Sequence, residues 1–201
     1  VKGEDIKNNF KMKKEYHLIL SSNSPRRKEL LAGLDLDFEI RVLSGVSECY
    51  PPDLPVDEIA EYIAKEKAEA YKSGLNGDNL VITADTIVVL GDKVLGKPRT
   101  LDEAREMLRM LSGRTHRVVT GVCLSTADKQ RSFSVVTEVT FKTLSDVEID
   151  YYVEKYKPLD KAGAYGIQEW IGYVGVTSIR GSYFNVMGLP VQRIYDELQN
   201  F

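Results

Sequence analysis

Residues 80 to 90 read LVITADTIVVL, a nearly continuous apolar run with a single carboxylate, Asp85, in its middle. A run of this length bounded by polar turns is the pattern of a strand covered on both faces. The fold must therefore carry a sheet with packed layers on either side. A carboxylate inside such a strand loses solvation and is stable only beside partners or a bound cation. Asp85 thus marks either a functional site or an aspartate that caps neighbouring backbone, a role Thr86 could share.

The segments around this run fit an α/β chain. Residues 16–20 read as an apolar strand, followed by SSNSPRRKELL, residues 21–31. Here Ser24 is expected to cap a helix with Pro25 in its first turn. Unpaired N–H groups and the positive end of the helix dipole make that junction suited to an anion. Arg26 and Arg27 add planar, permanently charged forks, although an ordinary capped helix with two solvated arginines satisfies the same residues. FEIRVLSGV, 38–46, reads as a second strand, and the proline-punctuated loop SECYPPDLP after it carries Glu48. A helix is expected from Val56 to Lys72, its apolar stripe running Val56, Ile59, Ala60, Ile63, Ala64, Ala68 and Tyr71. Helical spacing puts Lys67 on that stripe, either snorkelling to water or meeting a buried partner. GDKVLGKP reads as a turn, a short strand and a loop carrying Lys97, before an amphipathic helix from Thr100 to Leu111. Residues 115–125 and 131–143 alternate as two long strands, and Ser145 to Glu148 is a capping box. A strand pair is expected around IGYVGVTSI, and a last helix near Pro190. Residues 1–15, polar and lysine-rich, are expected as a flexible leader, and 16–201 as a single domain.

Composition removes several classes of function. With 27 basic and 30 acidic residues in 201, net charge −3, the chain has no global attraction for nucleic acid. Its two cysteines, Cys49 and Cys123, lack C-x-x-C spacing and read as reduced structural thiols. Two histidines, His17 and His116, make a histidine-rich metal centre a poor fit, and His116 reads as a strand residue. No apolar run is long enough to cross a bilayer, and there is no secretory core segment, so the cytoplasm is the expected compartment. There is no G-x-x-x-x-G-K-[ST], no G-x-G-x-x-G after a strand, and no nucleophile elbow for Ser22 or Ser24.

What remains is a set of cations with one or two carboxylates, the inventory of phosphoryl and nucleotidyl chemistry on an anionic substrate with a divalent metal. SSNSPRRKELL, KEKAEAY, ADTIVVLGDKVLGKP, LSGRTHRVVTGV, TEVTF, DKAGAYGIQ and GSYFNVMGLP resemble, in order, the motifs of the Maf nucleoside triphosphate pyrophosphatases. The resemblance implies an elongated two-lobed α/β fold of the Maf and ITPase kind, a mixed twisted sheet flanked by helices with a cleft between lobes. It implies roles for Ser22, Arg26 and Arg27 on the substrate, and for Lys67, Asp85 and Lys97 in catalysis. Glu48 and Asp85 are the expected holders of Mg²⁺ or Mn²⁺. AGAYGIQ is similar to the branch acting on dTTP and UTP, and there Arg26, Thr86 and Gln168 match positions tied to base choice. A neighbour such as Thr86, or a backbone group, would have to fix the Gln168 amide, which could otherwise rotate and accept cytosine. Glu169-Trp170 stands where the family commonly has glycine, and Ser21 where alanine is common. The expected partner is a pyrimidine nucleoside triphosphate, with no nucleic acid or membrane, and a homodimer is one assembly the resemblance allows. A nucleotide-sensing regulator of septum formation and the 7-methyl-GTP pyrophosphatase branch are the alternative readings.

Overall fold

The computed structural model describes residues 15–201. The expected leader therefore lies, apart from Glu15, outside the described residues. The elements run β1 (His17–Leu20), α1 (Pro25–Ala32), β2 (Phe38–Ile40), α2 (Ile59–Glu69), β3 (Asn79–Leu90), β4 (Lys93–Leu95), α3 (Leu101–Leu111), β5 (Thr115–Ser125), β6 (Gln130–Phe141), α4 (Asp146–Tyr156), α5 (Trp170–Gly175), β7 (Val176–Arg180), α6 (Tyr183–Met187) and α7 (Val191–Gln199). The strands form one mixed sheet in the order β2-β1-β3-β5-β6-β7, with β4 also on β3. β1 is parallel to β2 and β3, and every other pairing is antiparallel.

The long strand β3 organises this sheet. β1 pairs with it only as far as Leu20 opposite Ile82, and β4 takes over only from Val88 opposite Leu95. Across residues 83–87 that edge of β3 has no strand beside it. Within the apolar run, Asp85 and Thr86 are the two residues not fully buried. Strand alternation sends Thr83, Asp85 and Ile87 to the face covered by α2, and Ala84, Thr86 and Val88 to the opposite face.

On that opposite face the core is divided in two. Leu18, Leu20, Leu31, Ile82, Ala84, Leu124 and Ile194 form one cluster towards β1, α1 and α7. Val88, Leu108, Leu111, Val118, Phe141 and Tyr152 form another with α3 and α4. Between them lies a polar waist. Thr86 and Thr120 share a hydroxyl contact of 3.0 Å, and Thr120 Oγ1 donates to the Asn185 carbonyl at 3.1 Å. The fully buried Asn185 donates through Nδ2 to the Val118 and Val135 carbonyls and to Thr137 Oγ1.

Three sequence expectations are corrected. The strand expected over 38–46 ends at Ile40, because β1 offers its last rung when the Arg41 N–H reaches the Leu20 carbonyl. The helix expected over 56–72 is regular only from Ile59 to Glu69, followed by a 3₁₀ turn at Lys72–Gly74. Half of the strand pair around IGYVGVTSI is α5: Ile171 and Gly175 are buried four residues apart while Tyr173 between them is 83% exposed, which is helical spacing. The capping of α1 by Ser24, of α3 by Thr100 and the Ser145–Glu148 capping box are all present.

α2 lies unusually close to the sheet at Gly121, the residue opposite Asp85 in the β3–β5 register. A Cβ on Gly121 would stand 2.2 Å from the Ala60 carbonyl carbon and the Glu61 nitrogen, so only glycine lets the helix backbone down at this point. Lys67, two helical turns beyond Ala60, is thereby brought over β3. Gly121→Ala must displace backbone in α2, and we expect a loss of about 1–3 kcal/mol or more in stability, read as a lowered midpoint in denaturant unfolding followed by circular dichroism.

Candidate active site

The unpaired edge of β3 opens into a cleft of about 470 Å³, lined by residues from the β1–α1 loop, the loop before α2, β3, the Lys97 loop and the 160–168 segment. Ser22, Arg26, Arg27, Glu48, Lys67, Asp85, Thr86, Lys97 and Gln168, each singled out in the sequence, all line it.

Its centre is one ammonium between two carboxylates. Lys67 Nζ lies 2.8 Å from Asp85 Oδ1 and 2.7 Å from Glu48 Oε1. Lys67 and Asp85 are only 14% and 13% exposed at the side chain, while Glu48 is half in solvent. Burial pushes the Glu48 carboxyl up, but Lys67, then Lys97 and Arg27, outweigh it and hold it below the usual carboxylate range. Lys67 is therefore not snorkelling to water. It is the partner that allows Asp85 to sit in an apolar strand.

The two arginines behave differently. Arg26 Nη1 reaches across the cleft to Asp160 Oδ2 at 3.0 Å. Arg27 turns inward: Nε donates to the Gly188 carbonyl at 2.8 Å, Nη1 to the Ala84 carbonyl at 2.9 Å, and Nη2 to Thr86 Oγ1 at 3.1 Å. Burial lowers its pKa, with Asp85 opposing. Three of the guanidinium's five N–H donors thus tie α1 to the open edge of β3 and to the end of α6, leaving two for a ligand. The pair expected to grip an anion together divides into one anchor and one cleft-spanning arm.

In the β1–α1 loop, Ser22 is buried and its Oγ accepts the Ser24 N–H at 3.1 Å. Ser21 donates to the Tyr71 hydroxyl at 2.8 Å, and that hydroxyl holds the Arg41 carbonyl and Leu43 N–H at the rim. Ser21 therefore fastens the rim. Lys97 is exposed beside Glu48. His116 is buried with Tyr165 and Phe141, its pKa pushed down to about 4 by burial, and Nε2 contacts Tyr165 Oη at 2.7 Å. It is a neutral core histidine. Both cysteines are free, Cys49 exposed and Cys123 buried.

Sequence reasoning missed Lys161 as a site residue. It lines the cleft at only 7% exposure, paired with Asp160 at 2.7 Å and Glu169 at 3.2 Å. DKAGAYGIQ contains it, but in a loop with no periodicity nothing marks one lysine as buried.

With this geometry in place, the comparisons decide the family. The Maf-like protein family profile matches residues 17–201. The chain belongs to the Maf family. A relative named dTTP/UTP pyrophosphatase, from Phocaeicola vulgatus, is 63% identical over 185 residues, 92% of this chain and 96% of that protein. Another of the same name, from Bacteroides thetaiotaomicron, is 58% identical over 185 residues with the same coverage of each chain. Among solved structures, the Staphylococcus aureus Ham1 protein superposes with TM-score 0.54 at 18% identity, over 92% of this chain and 98% of that one. That likeness concerns the fold. Among the described residues of this Maf protein no helix is long and apolar enough to cross a membrane.

The ion pair yields a stability prediction. Lys67→Met strands the Asp85 carboxylate, and we expect a loss of about 1–3 kcal/mol. Adding Asp85→Asn removes the stranded charge and should recover most of it, whereas a snorkelling lysine would give no such coupling. Denaturant unfolding of the parent, the two single variants and the double variant measures this coupling.

Proposed function

We propose that this Maf protein hydrolyses dTTP and UTP between the α- and β-phosphates, releasing the nucleoside monophosphate and pyrophosphate. The observation that carries the reading is the Lys67–Asp85 pair at the unpaired edge of β3, in a cleft that also holds Arg26, Lys97 and Gln168. The relatives of 63% and 58% identity bear the name of that activity, which favours it over the 7-methyl-GTP branch.

The residues divide by chemistry. Asp85 accepts a proton from the attacking water, and Lys67 holds the carboxylate in place. Lys97, Arg26 and the two free N–H groups of Arg27 offset the charge that grows on the departing pyrophosphate. Ser22 and the N-terminus of α1 face the phosphate chain.

Among the described residues no cluster of three or more His, Cys, Asp or Glu could hold a metal on protein ligands alone. Glu48 and Asp85 offer two carboxylates joined through one ammonium, and Mg²⁺ characteristically takes one or two carboxylates, with phosphate oxygens and water completing its shell. The donor set fits an ion that arrives with the nucleotide and competes with Lys67 for both carboxylates. Such an ion would supply charge neutralisation on the phosphates. The expected compartment is the cytoplasm.

Asp85→Asn should lower kcat about 10²- to 10⁴-fold while UTP still binds, as expected for loss of a general base. Quench-flow or steady-state release of pyrophosphate, beside calorimetric binding of UTP, measures both. A parent protein that binds UTP and releases no pyrophosphate would instead be a nucleotide sensor. For base choice, the Gln168 amide offers a donor and an acceptor that match O4 and N3–H of uracil and thymine. UTP and dTTP should have comparable kcat/KM and CTP a much lower one. Gln168→Glu should depress UTP and dTTP, because a carboxylate cannot donate to O4. Equal kcat/KM for CTP and UTP in the parent would place base reading elsewhere.

A further inference from the structure

Asp160 lines the cleft with each of its carboxylate oxygens on a different cation. Oδ2 takes Arg26 Nη1 at 3.0 Å, from the first turn of α1, and Oδ1 takes Lys161 Nζ at 2.7 Å, from its own loop. The side chain is nonetheless 61% exposed. Burial would raise its pKa, but Lys161 and Arg26 hold it below the usual carboxylate range, so the group is ionised at neutral pH. An ion pair this open to solvent contributes little to stability, because water replaces the partner at small cost. The carboxylate is free to swing out.

The two cations it bridges would keep their footing without it. Lys161 is only 7% exposed, but the carboxylate against its Nζ is itself at the surface. A second carboxylate, Glu169, is 19% exposed and places Oε1 at 3.2 Å from the same Nζ. Glu169 Oε2 accepts the Tyr152 hydroxyl proton, and that hydroxyl accepts the Gly166 N–H at 3.0 Å, so this partner is fixed to the loop. An ammonium has three N–H donors. When Asp160 leaves, Glu169 still pairs the buried charge and two donors face an incoming anion. Arg26, released from Asp160, has a planar fork suited to two oxygens of one phosphoryl group. A carboxylate that spans both cations with its two oxygens thus occupies a place that a more highly charged oxyanion fits equally well.

We infer that Arg26 and Lys161 form a phosphoryl-binding subsite that Asp160 fills as an internal stand-in and yields to the polyphosphate of the nucleotide. Lys161 then becomes a ligand of the phosphate chain. Asp160 is a competitor built into the site: it weakens substrate binding and returns to the two cations as pyrophosphate leaves. The ligand is a phosphoryl group, part of the triphosphate before the reaction and of pyrophosphate after it. The inference deepens the pyrophosphatase reading above and rests on it.

Calorimetric titration of the full chain with inorganic pyrophosphate, without metal, reads the subsite whether or not nucleotide is turned over. Asp160→Asn should bind pyrophosphate about three- to tenfold more tightly than the parent, and its KM for UTP with Mg²⁺ should fall by a similar factor. Asp128→Asn, on the exposed turn between β5 and β6, makes the same change in net charge away from the cleft and should leave both values within about twofold. Lys161→Gln alone would strand Glu169, so Lys161→Gln with Glu169→Gln removes the pair at constant net charge. That double variant should bind pyrophosphate about tenfold more weakly. Binding in Asp160→Asn equal to or weaker than in the parent overturns the inference, because Asp160 would then be a bystander or a support for Arg26. So does an equal gain in Asp128→Asn, which would assign the effect to net charge, or undiminished binding in the folded double variant. A parent that releases no pyrophosphate from UTP fails the functional reading instead, and the binding results still decide the subsite.

Discussion

The interrupted pairing of β3 governs the rest of this structure. A twelve-residue strand is flanked on one edge by two short strands that do not meet, and residues 83–87 are left with open backbone between them. An open edge inside a protein must be satisfied by something other than a strand. Here Arg27 satisfies the Ala84 carbonyl, and Lys67 pairs with the Asp85 side chain beside it. The same interruption that exposes backbone makes room for a ligand, so the cleft and the cations lining it arise from a single topological fact.

Charge burial then sorts the cations into different roles. Arg27, Lys67 and Lys161 are largely withdrawn from water, and each has carboxylate or carbonyl partners. They cannot be removed singly without stranding a partner, and this couples stability to function at those positions. Arg26 and Lys97 lie nearer solvent and remain available to an anion. Arg26 pairs across the cleft with Asp160, whose carboxyl burial would raise but Lys161 and Arg26 together hold low.

The site was legible in the sequence wherever a residue broke the pattern of its own element. Asp85 interrupts an apolar strand and Lys67 an apolar helical stripe, and the structure joins them at 2.8 Å. Arg26 and Arg27 follow a capped helix start in a recognisable motif. Their division into arm and anchor was not legible, because Arg27's acceptors lie 57 to 161 residues further along the chain. Lys161 was hidden for a related reason. It sits in irregular backbone, where no periodicity separates a buried side chain from a solvated one.

Local chemistry written along the chain determined the α/β class, the main helices with their caps, the long strands β3, β5 and β6, and the residue types able to meet a triphosphate. Spacing and capping act within a few residues, so the sequence carries them on its own. Tertiary structure decided where β2 stops, that residues 170–175 wind into a helix, and how closely α2 approaches at Gly121. It also decided which protein partners hold each of the cations lining the cleft. Those outcomes depend on distant partners: the length of β1, the core under α5, the missing side chain on β5, and the carbonyls of Ala84 and Gly188. Only folding brings them within hydrogen-bonding distance.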